Sequence, residues 1–178
     1  MKIYTKKGDK GKSNLLSGKG ISKTDAVFDA LGALDELSAS LGIIHTFRTK
    51  KVVQTVMEIQ NDLFEIGSLI SGRKPEKGSE DYWQNKIKAL ETRINFFDTK
   101  NKPLTHFILP GGSKLSSHLH LSRAICRRAE RKLATYVKKR NKTQFDIHLI
   151  YINRLSDLLF VMARYANQKL GIKDVIWK

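Results

Sequence analysis

Apolar residues recur at spacings of three and four over five stretches of the chain, as on the buried face of amphipathic helices. We predict helices over about residues 25–47, 51–71, 79–98, 115–139 and 145–170, separated by short polar links. No stretch shows a convincing alternation of the kind that predicts a strand. The pattern therefore predicts an all-α fold, a five-helix up-and-down bundle.

The segment ahead of the first helix is rich in Lys, Gly and Ser, and we expect it to be a loop over residues 1–24. Backbone N–H groups and ammonium groups in glycine-bearing turns suit phosphate binding. A disordered basic arm is the alternative. We treat residues 1–178 as a single domain with this loop, a helical bundle over 25–171 and a C-terminal tail over 172–178.

The predicted fourth helix carries charged residues beside its apolar stripe, which runs from Leu115 to Val137. Two further basic residues of this helix, Arg128 and Lys132, point away from that charged flank. Clustered arginines repel one another unless an anion or carboxylate lies among them, and Arg binds phosphate bidentately. A solvated face with ion pairs along the helix is the alternative interpretation. The residues on this charged flank are Arg123, Arg127, Glu130 and Arg131.

The predicted fifth helix is apolar almost all round, yet Asn153, Asp157 and Arg164 fall on one line with Phe160. Buried polar groups need partners. We expect this polar line to pair with the arginine flank of the fourth helix, and a purely structural network is the alternative. In the first helix, Asp35 is expected near an arginine of the fourth.

The net charge of +16 raises the question of nucleic-acid binding, because basic surfaces attract phosphate backbones. The lysines are scattered, however, and no recognised nucleic-acid motif or aromatic platform is present. A polyphosphate ligand explains the charge equally well. The single cysteine, Cys126, excludes an internal disulfide and fits a reducing cytosol, so we expect a cytoplasmic protein with no membrane span.

Several segments, in order along the chain, resemble the trimeric helical-bundle (PduO-type) family of ATP:cob(I)alamin adenosyltransferases. The middle of the chain, about residues 47–104, matches this family only in helical character. The segments that carry the resemblance are 4–11, Lys23, 35–38, 107–112, 123–131 and 153–160.

The resemblance implies transfer of the 5′-deoxyadenosyl group of ATP to the cobalt of cob(I)alamin, with release of triphosphate, at the subunit interfaces of a homotrimer. It implies that the N-terminal loop wraps the triphosphate and that the fourth and fifth helices complete the site. Lys7 and Asn14 stand where Thr or Ser is common. The implied ATP-binding residues are Thr5, Lys6, Lys7, Gly8, Ser13, Asn14, Lys23, Arg127, Arg128, Glu130, Arg131 and Asn153.

For the corrinoid, the resemblance implies an ion pair between subunits, formed by Asp35 and Arg123, and an aromatic residue, Phe107, that displaces the lower axial base of cobalamin. Arg127, Phe107 and Asn153 are then the expected catalytic residues, and Asp157 is a structural member of the polar line. Magnesium is expected to bridge the ATP phosphates, with no ligand assigned on the protein. A reductase and an enzyme that accepts adenosylcobalamin are the implied partners.

The chemistry agrees with the residues, because cob(I)alamin is itself a strong nucleophile and needs no activated Ser, Cys or general base. The protein has to align the reactants and stabilise the leaving triphosphate. The competing class is a basic helical module that binds nucleic acid or an acidic protein without catalysis. A third interpretation, an inert structural bundle, leaves the polar line of the fifth helix unexplained.

Overall fold

A computed structural model describes residues 4, 6, 8–18, 20–47 and 49–178. The five predicted helices are all present, which confirms the all-α bundle, although the first ends before its predicted limit at Phe47. There the backbone tightens into a 3-10 turn, Ile43–Thr46, and a second 3-10 turn, Thr143–Phe145, precedes the last helix. The helices are α1 Ala26–Gly42, α2 Lys50–Ile70, α3 Ser79–Asp98, α4 Lys114–Arg140 and α5 Asp146–Lys169.

The helices alternate in direction along the chain, but they are not arranged around the bundle in chain order. α1 packs against α2 and α4, while α5 packs against α3 and α4. α5 therefore lies between α3 and α4, and the link from α3 to α4, residues 99–113, runs past the C-terminal end of α5. We call this link the crossover segment.

The apolar stripe predicted for α4 is buried, as its spacing required. Leu119, Cys126, Ala129 and Leu133 are all fully inaccessible to solvent. Burying one large aliphatic side chain contributes about 1.5–3 kcal/mol, so this stripe is a principal reason why α4 lies where it does. Its burial turns the flanking arginines toward the edges of the helix.

Asp25 caps the N-terminus of α1. Its carboxylate accepts a hydrogen bond from Val27 N–H at 3.0 Å and forms an ion pair with Arg140 at the end of α4. The backbone hydrogen bond, together with Arg140, lowers the pKa of Asp25 against the opposing effect of burial. This cap joins the start of α1 to the end of the antiparallel helix α4.

Two short antiparallel strand pairs accompany the bundle, and the expectation of no strand was wrong for these segments. In the N-terminal segment, β1 (Lys12–Asn14) pairs with β2 (Gly20–Ser22). In the crossover segment, β3 (Ile108–Leu109) pairs with β4 (Val175–Ile176) of the C-terminal tail. Runs of two or three residues are too short to show a strand period, and isolated pairs need a packed support.

Within the described ranges, no helix combines the length and the apolar character that crossing a bilayer requires.

Candidate functional site

One side of α4 forms ion pairs with α1. Arg128 pairs with Glu36, and Lys132 Nζ lies 2.9 Å from Asp29 Oδ2. Of the two neighbouring acidic residues Asp35 and Glu36, it is thus Glu36 that pairs with an arginine of α4 in the described part of the chain. Asp35 is exposed, because one step along a helix turns a side chain by about 100°. Its predicted pairing with Arg123 of another subunit stays a prediction.

The other side of α4 meets α5 through Asn153. The Asn153 side chain donates from Nδ2 to Glu130 Oε1 at 3.0 Å and accepts at Oδ1 from Arg154 Nη1 at 3.2 Å. Arg154 is itself held by Glu91 of α3, with Nε 3.0 Å from Oε1. Three helices therefore fix the orientation of this amide, as expected for a group that positions a ligand.

The arginine flank next to Asn153 carries positive charge that is only partly compensated. Desolvation, followed by repulsion from Arg127, lowers the pKa of Arg123, and the Arg123 Nε is buried without a hydrogen-bond partner among the described residues. Desolvation raises the pKa of Asp157, whereas Arg154 and Arg127 draw it down. Arg127 is exposed and pairs with no carboxylate in the described part of the chain. An anion with several oxygens would complete this arrangement.

The polar line predicted on α5 divides into two parts. Asn153 and Asp157 face the arginine flank, as expected, but Arg164 does not. Arg164 instead donates from Nε to Asp174 of the C-terminal tail at 2.9 Å and from Nη2 to the Lys102 carbonyl at 2.7 Å. Arg164 cannot reach the arginine flank because it lies about 16 Å beyond Asn153 along the axis of α5.

The N-terminal segment is built as a small hairpin docked on the bundle. Lys23 N–H donates to the Gly11 carbonyl at 2.8 Å, and Ser17 N–H donates to the Ser71 carbonyl at the end of α2 at 3.1 Å. A Cβ atom added at Gly8 would lie 3.1 Å from Lys23 Nζ, so the ammonium group rests against this glycine.

Among the ATP-binding residues predicted in this segment, Lys6, Asn14 and Lys23 are exposed, and Gly8 and Ser13 are half-buried. Thr5 and Lys7, named in the same prediction, lie outside the described residues. The exposed and half-buried positions leave backbone and ammonium donors on the surface of the hairpin, where a phosphate could be bound.

The hairpin and the arginine flank lie at different levels of the bundle. Asp25, directly after the hairpin, is paired with Arg140, and Arg127 lies about 20 Å from Arg140 along α4. No hydrogen bond or ion pair joins the described hairpin residues to Arg127, Glu130 or Asn153. Among the described residues, a single chain therefore does not bring the predicted ATP-binding residues of the hairpin into contact with those of α4 and α5.

Phe107, in the crossover segment, is 80% exposed and therefore does not anchor the core. Its ring lies 6.4 Å from that of Trp177, edge to face, and Trp177 N–H donates to the Phe107 carbonyl at 2.8 Å. A cavity of about 410 Å³ lies between the crossover segment and the tail, next to His106 and Ile108. An apolar ring is thus presented to solvent beside a concave surface.

Some residues of this region escaped the sequence analysis. Glu36, Arg154 and Trp177 each contact a predicted site residue. Arg154 follows Asn153 directly, so of the three it is the one that the sequence could have indicated.

Desolvation raises the pKa of the buried Cys126 thiol, which is inert at neutral pH. The described residues contain no group of three or more His, Cys, Asp or Glu side chains arranged to hold a metal ion.

Comparison with known proteins gives a consistent result. A family model described as cobalamin adenosyltransferase matches residues 3–166. The human corrinoid adenosyltransferase MMAB is 39% identical over 184 residues, which cover 99% of this chain and 73% of the human protein. The corrinoid adenosyltransferase of Bacillus subtilis (strain 168) is 37% identical, covering 98% of this chain and 91% of the bacterial one.

Solved structures agree with the sequence comparisons. A variant of the PduO-type ATP:corrinoid adenosyltransferase from Lactobacillus reuteri, complexed with cobalamin and ATP, superimposes with a TM-score of 0.84 and 33% identity. That match covers 99% of this chain and 97% of the other. Another variant of the same enzyme, complexed with ATP, gives a TM-score of 0.84 and 34% identity.

Proposed function

This chain belongs to the cobalamin adenosyltransferase family, and we propose that it transfers the 5′-deoxyadenosyl group of ATP to cob(I)alamin. The observation that carries the proposal is the exposed Arg127 guanidinium on the flank of α4 where Glu130 holds the Asn153 amide, whose orientation α3 also fixes through Arg154. Nearly full-length similarity to corrinoid adenosyltransferases favours this function over a nucleic-acid-binding module without catalysis.

The reaction is a displacement at the 5′ carbon of ATP. The cobalt(I) electron pair forms the new cobalt–carbon bond, the bond from the 5′ carbon to oxygen breaks, and triphosphate leaves with its electrons. The nucleophile is part of the substrate, so no activated side chain is required. The protein contributes alignment and stabilisation of the charge on the leaving triphosphate.

We assign the leaving triphosphate to the positive groups of two regions. The first is the flank around Arg127, where Glu130 and Asn153 supply hydrogen-bonding groups and Arg131 adds charge. The second is the N-terminal hairpin with Lys23. Positive charges aimed at phosphate oxygens stabilise the transition state most where water is excluded.

Because these two regions are separated within one chain, we propose that a second copy supplies the hairpin and that the working enzyme is a homotrimer. The exposed Asp35 and the half-buried Arg123 are then available for an ion pair across the interface. The Arg123 Nε, buried without a partner among the described residues, supports this assignment. A buried N–H group of a guanidinium without a hydrogen-bond partner is costly, so a partner from outside the described residues is expected.

We propose that Phe107 contacts the lower face of the corrinoid. An apolar ring in that position excludes both the lower axial base and water from cobalt without coordinating it. Base-off cobalt is more easily reduced to cob(I). The exposure of the ring and its edge-to-face contact with Trp177 support this role.

Magnesium fits the site only through the substrate. Glu130, the carboxylate of the arginine flank, is already hydrogen-bonded to Asn153. We therefore propose that phosphate oxygens and water supply the ligands of the ion. A cytoplasmic location, a reductase partner and an acceptor enzyme stay predictions.

Anaerobic mixing with ATP, magnesium and cob(I)alamin tests the function. The expected result is a light-sensitive cobalt–carbon product, followed by absorbance, with one triphosphate released per adenosyl group transferred. Absence of this product under strongly reducing conditions would contradict the proposal. Tight, salt-dependent binding of DNA or RNA without that product would instead support the nucleic-acid alternative.

A further inference from the structure

The crossover segment that carries Phe107 is tied to the end of α5 on its N-terminal side. Arg164 Nη2 donates to the Lys102 carbonyl at 2.7 Å, and Lys102 N–H donates to Gln168 Oε1 at 3.1 Å. Both polar groups of the Lys102 backbone are thus bound by side chains of one helix. The backbone five residues before Phe107 is held in place.

The same helix holds the segment on its C-terminal side. Asn167 Nδ2 donates to the Gly111 carbonyl at 3.0 Å, and Asn167 Oδ1 accepts from Ser113 N–H at 2.9 Å. The approach is so close that a Cβ atom added at Gly112 would lie 2.4 Å from the Asn167 amide, and Gly112 has φ +106°. Only glycine is compatible with this contact and this backbone conformation.

A third connection ties the C-terminal tail to the same point. Arg164 Nε donates to Asp174 Oδ2 at 2.9 Å, and Asp174 precedes β4, which pairs with β3 next to Phe107. Arg164 is 5% and Asn167 is 2% exposed. Two buried side chains on successive turns of α5 therefore hold the backbone on both sides of β3 and the residue directly before β4.

Burial cannot determine the position of Phe107, because its ring is 80% exposed and makes its one aromatic contact, within the described chain, with Trp177. The position must come from the backbone. A ring that acts by filling a space beside the reacting atom needs a backbone fixed to a fraction of an ångström.

We propose that Asn167 and Arg164 are positioning residues that hold Phe107 against the corrinoid. The proposal rests on the proposed function, and it assigns to the end of α5 a part in the corrinoid step that is separate from ATP binding. Loss of either residue leaves the Phe107 side chain intact but lets the backbone that carries it shift. The consequence is incomplete removal of the lower base, with ATP binding unaffected.

The experiment compares Asn167→Ala with Tyr151→Phe. Tyr151 lies on the same helix and donates a buried hydrogen bond to Asp62 at 2.7 Å, far from the crossover segment. The control variant therefore reports the effect of losing a buried hydrogen bond from α5. Three quantities are measured for each variant: the melting temperature, KM for ATP, and kcat. The reactions that give kcat start from cob(II)alamin or from the cobinamide analogue, which lacks the tethered base, and an added one-electron reductant converts cobalt(II) to cobalt(I).

For Asn167→Ala we expect kcat with cobalamin to fall by about 10- to 100-fold, a smaller fall with cobinamide, and an unchanged KM for ATP. Arg164→Lys keeps the charge but makes fewer hydrogen bonds, so its kcat with cobalamin should lie between those of the wild type and Asn167→Ala. Equal losses on the two corrinoids, or activity no lower than that of Tyr151→Phe, would overturn the proposal.

Hydrogen exchange of the backbone amides gives a measurement that does not depend on turnover. If Asn167→Ala does not fold, Asp174→Asn takes its place in this experiment. The backbone amides of residues 107–109 and 175–177 should exchange faster than in the wild type in each folded variant of Asn167, Arg164 or Asp174, and at the wild-type rate in Tyr151→Phe. Unchanged exchange would overturn the positioning role. A wild-type protein that makes no adenosylcobalamin would refute the proposed function, while the exchange experiment would still report on the tie itself.

Discussion

Glu36 of α1 forms an ion pair with Arg128 of α4, whereas the preceding residue, Arg127, has no carboxylate partner in the described part of the chain. The two arginines are adjacent in sequence and face different elements. Arg128 belongs to the contact between α1 and α4, and Arg127 borders Glu130 and Asn153. The same residue type therefore serves two purposes on one helix.

Arg127→Ala should weaken ATP use far more than Arg128→Ala. Truncating a guanidinium that binds a desolvated phosphate typically costs about 2–5 kcal/mol, at least ~30-fold in kcat/KM for ATP. The Arg128 pair is roughly half exposed, and such pairs contribute about 0.2–1 kcal/mol to stability. Steady-state kinetics with varied ATP measures the difference, with Lys132→Ala as a matched control for loss of an α1–α4 ion pair. Equal and negligible losses of kcat/KM in both arginine variants would support a solvated face. A loss for Arg128→Ala as large as that for Arg127→Ala would indicate that Arg128 acts across the subunit interface.

Phe107→Ala should leave the affinity for ATP and the stability almost unchanged, because the ring is largely exposed. Adenosylation that starts from cob(II)alamin should slow by about 100-fold, and the defect should shrink with cobinamide. Leu104→Ala, an exposed aliphatic position in the same segment, is the control. A variant that melts early and is equally impaired on both corrinoids would show that Phe107 is structural.

Asp35→Arg and Arg123→Asp should each disrupt assembly and activity, and the double variant should restore both in part. The physical reason is that reversing one charge creates repulsion across the proposed interface, whereas reversing both recreates an attraction. Light scattering at micromolar concentration measures the oligomer, and the adenosylation assay runs in parallel. A wild-type protein that is monomeric and fully active would contradict the homotrimer.

Folding stability should fall between pH 6.5 and 4 because of two buried histidines. Burial lowers the pKa of His148 to about 4; burial and the neighbouring Arg123 do the same for His120. The unfolded chain binds protons below its imidazole pKa near 6.5, so stability is complete above that pH and is lost as the pH falls. Each histidine should cost about 2 kcal/mol between pH 7 and pH 5.

Urea unfolding of wild type and His148→Phe at pH 7 and pH 5 measures this contribution. The aromatic replacement keeps a ring against Trp83, which lies 4.6 Å away between ring centroids. The variant should lose about half of the histidine-dependent pH sensitivity. An unchanged difference between the two pH values would mean that His148 does not titrate in this window.

Sequence periodicity was sufficient for the helices and for the buried stripe of α4, because each depends on the residues of one helix facing one apolar environment. Periodicity also predicted that Arg127 and Arg128 face different directions, since the angle between neighbouring side chains on a helix is about the same in any protein. The polar character of Asn153 on an apolar helix also correctly indicated pairing with α4, where it donates to Glu130.

The choice of partner was decided only in three dimensions. That Glu36 and not Asp35 reaches Arg128, and that Arg164 turns to the tail instead of the arginine flank, depends on how neighbouring helices are rotated and shifted against each other. The exposure of Phe107 depends on a strand pair whose halves lie far apart in the chain and on α5 side chains that bind both. Periodicity describes one face of one element. These contacts instead depend on how separate elements are rotated and shifted against each other, and local residue patterns do not record that arrangement.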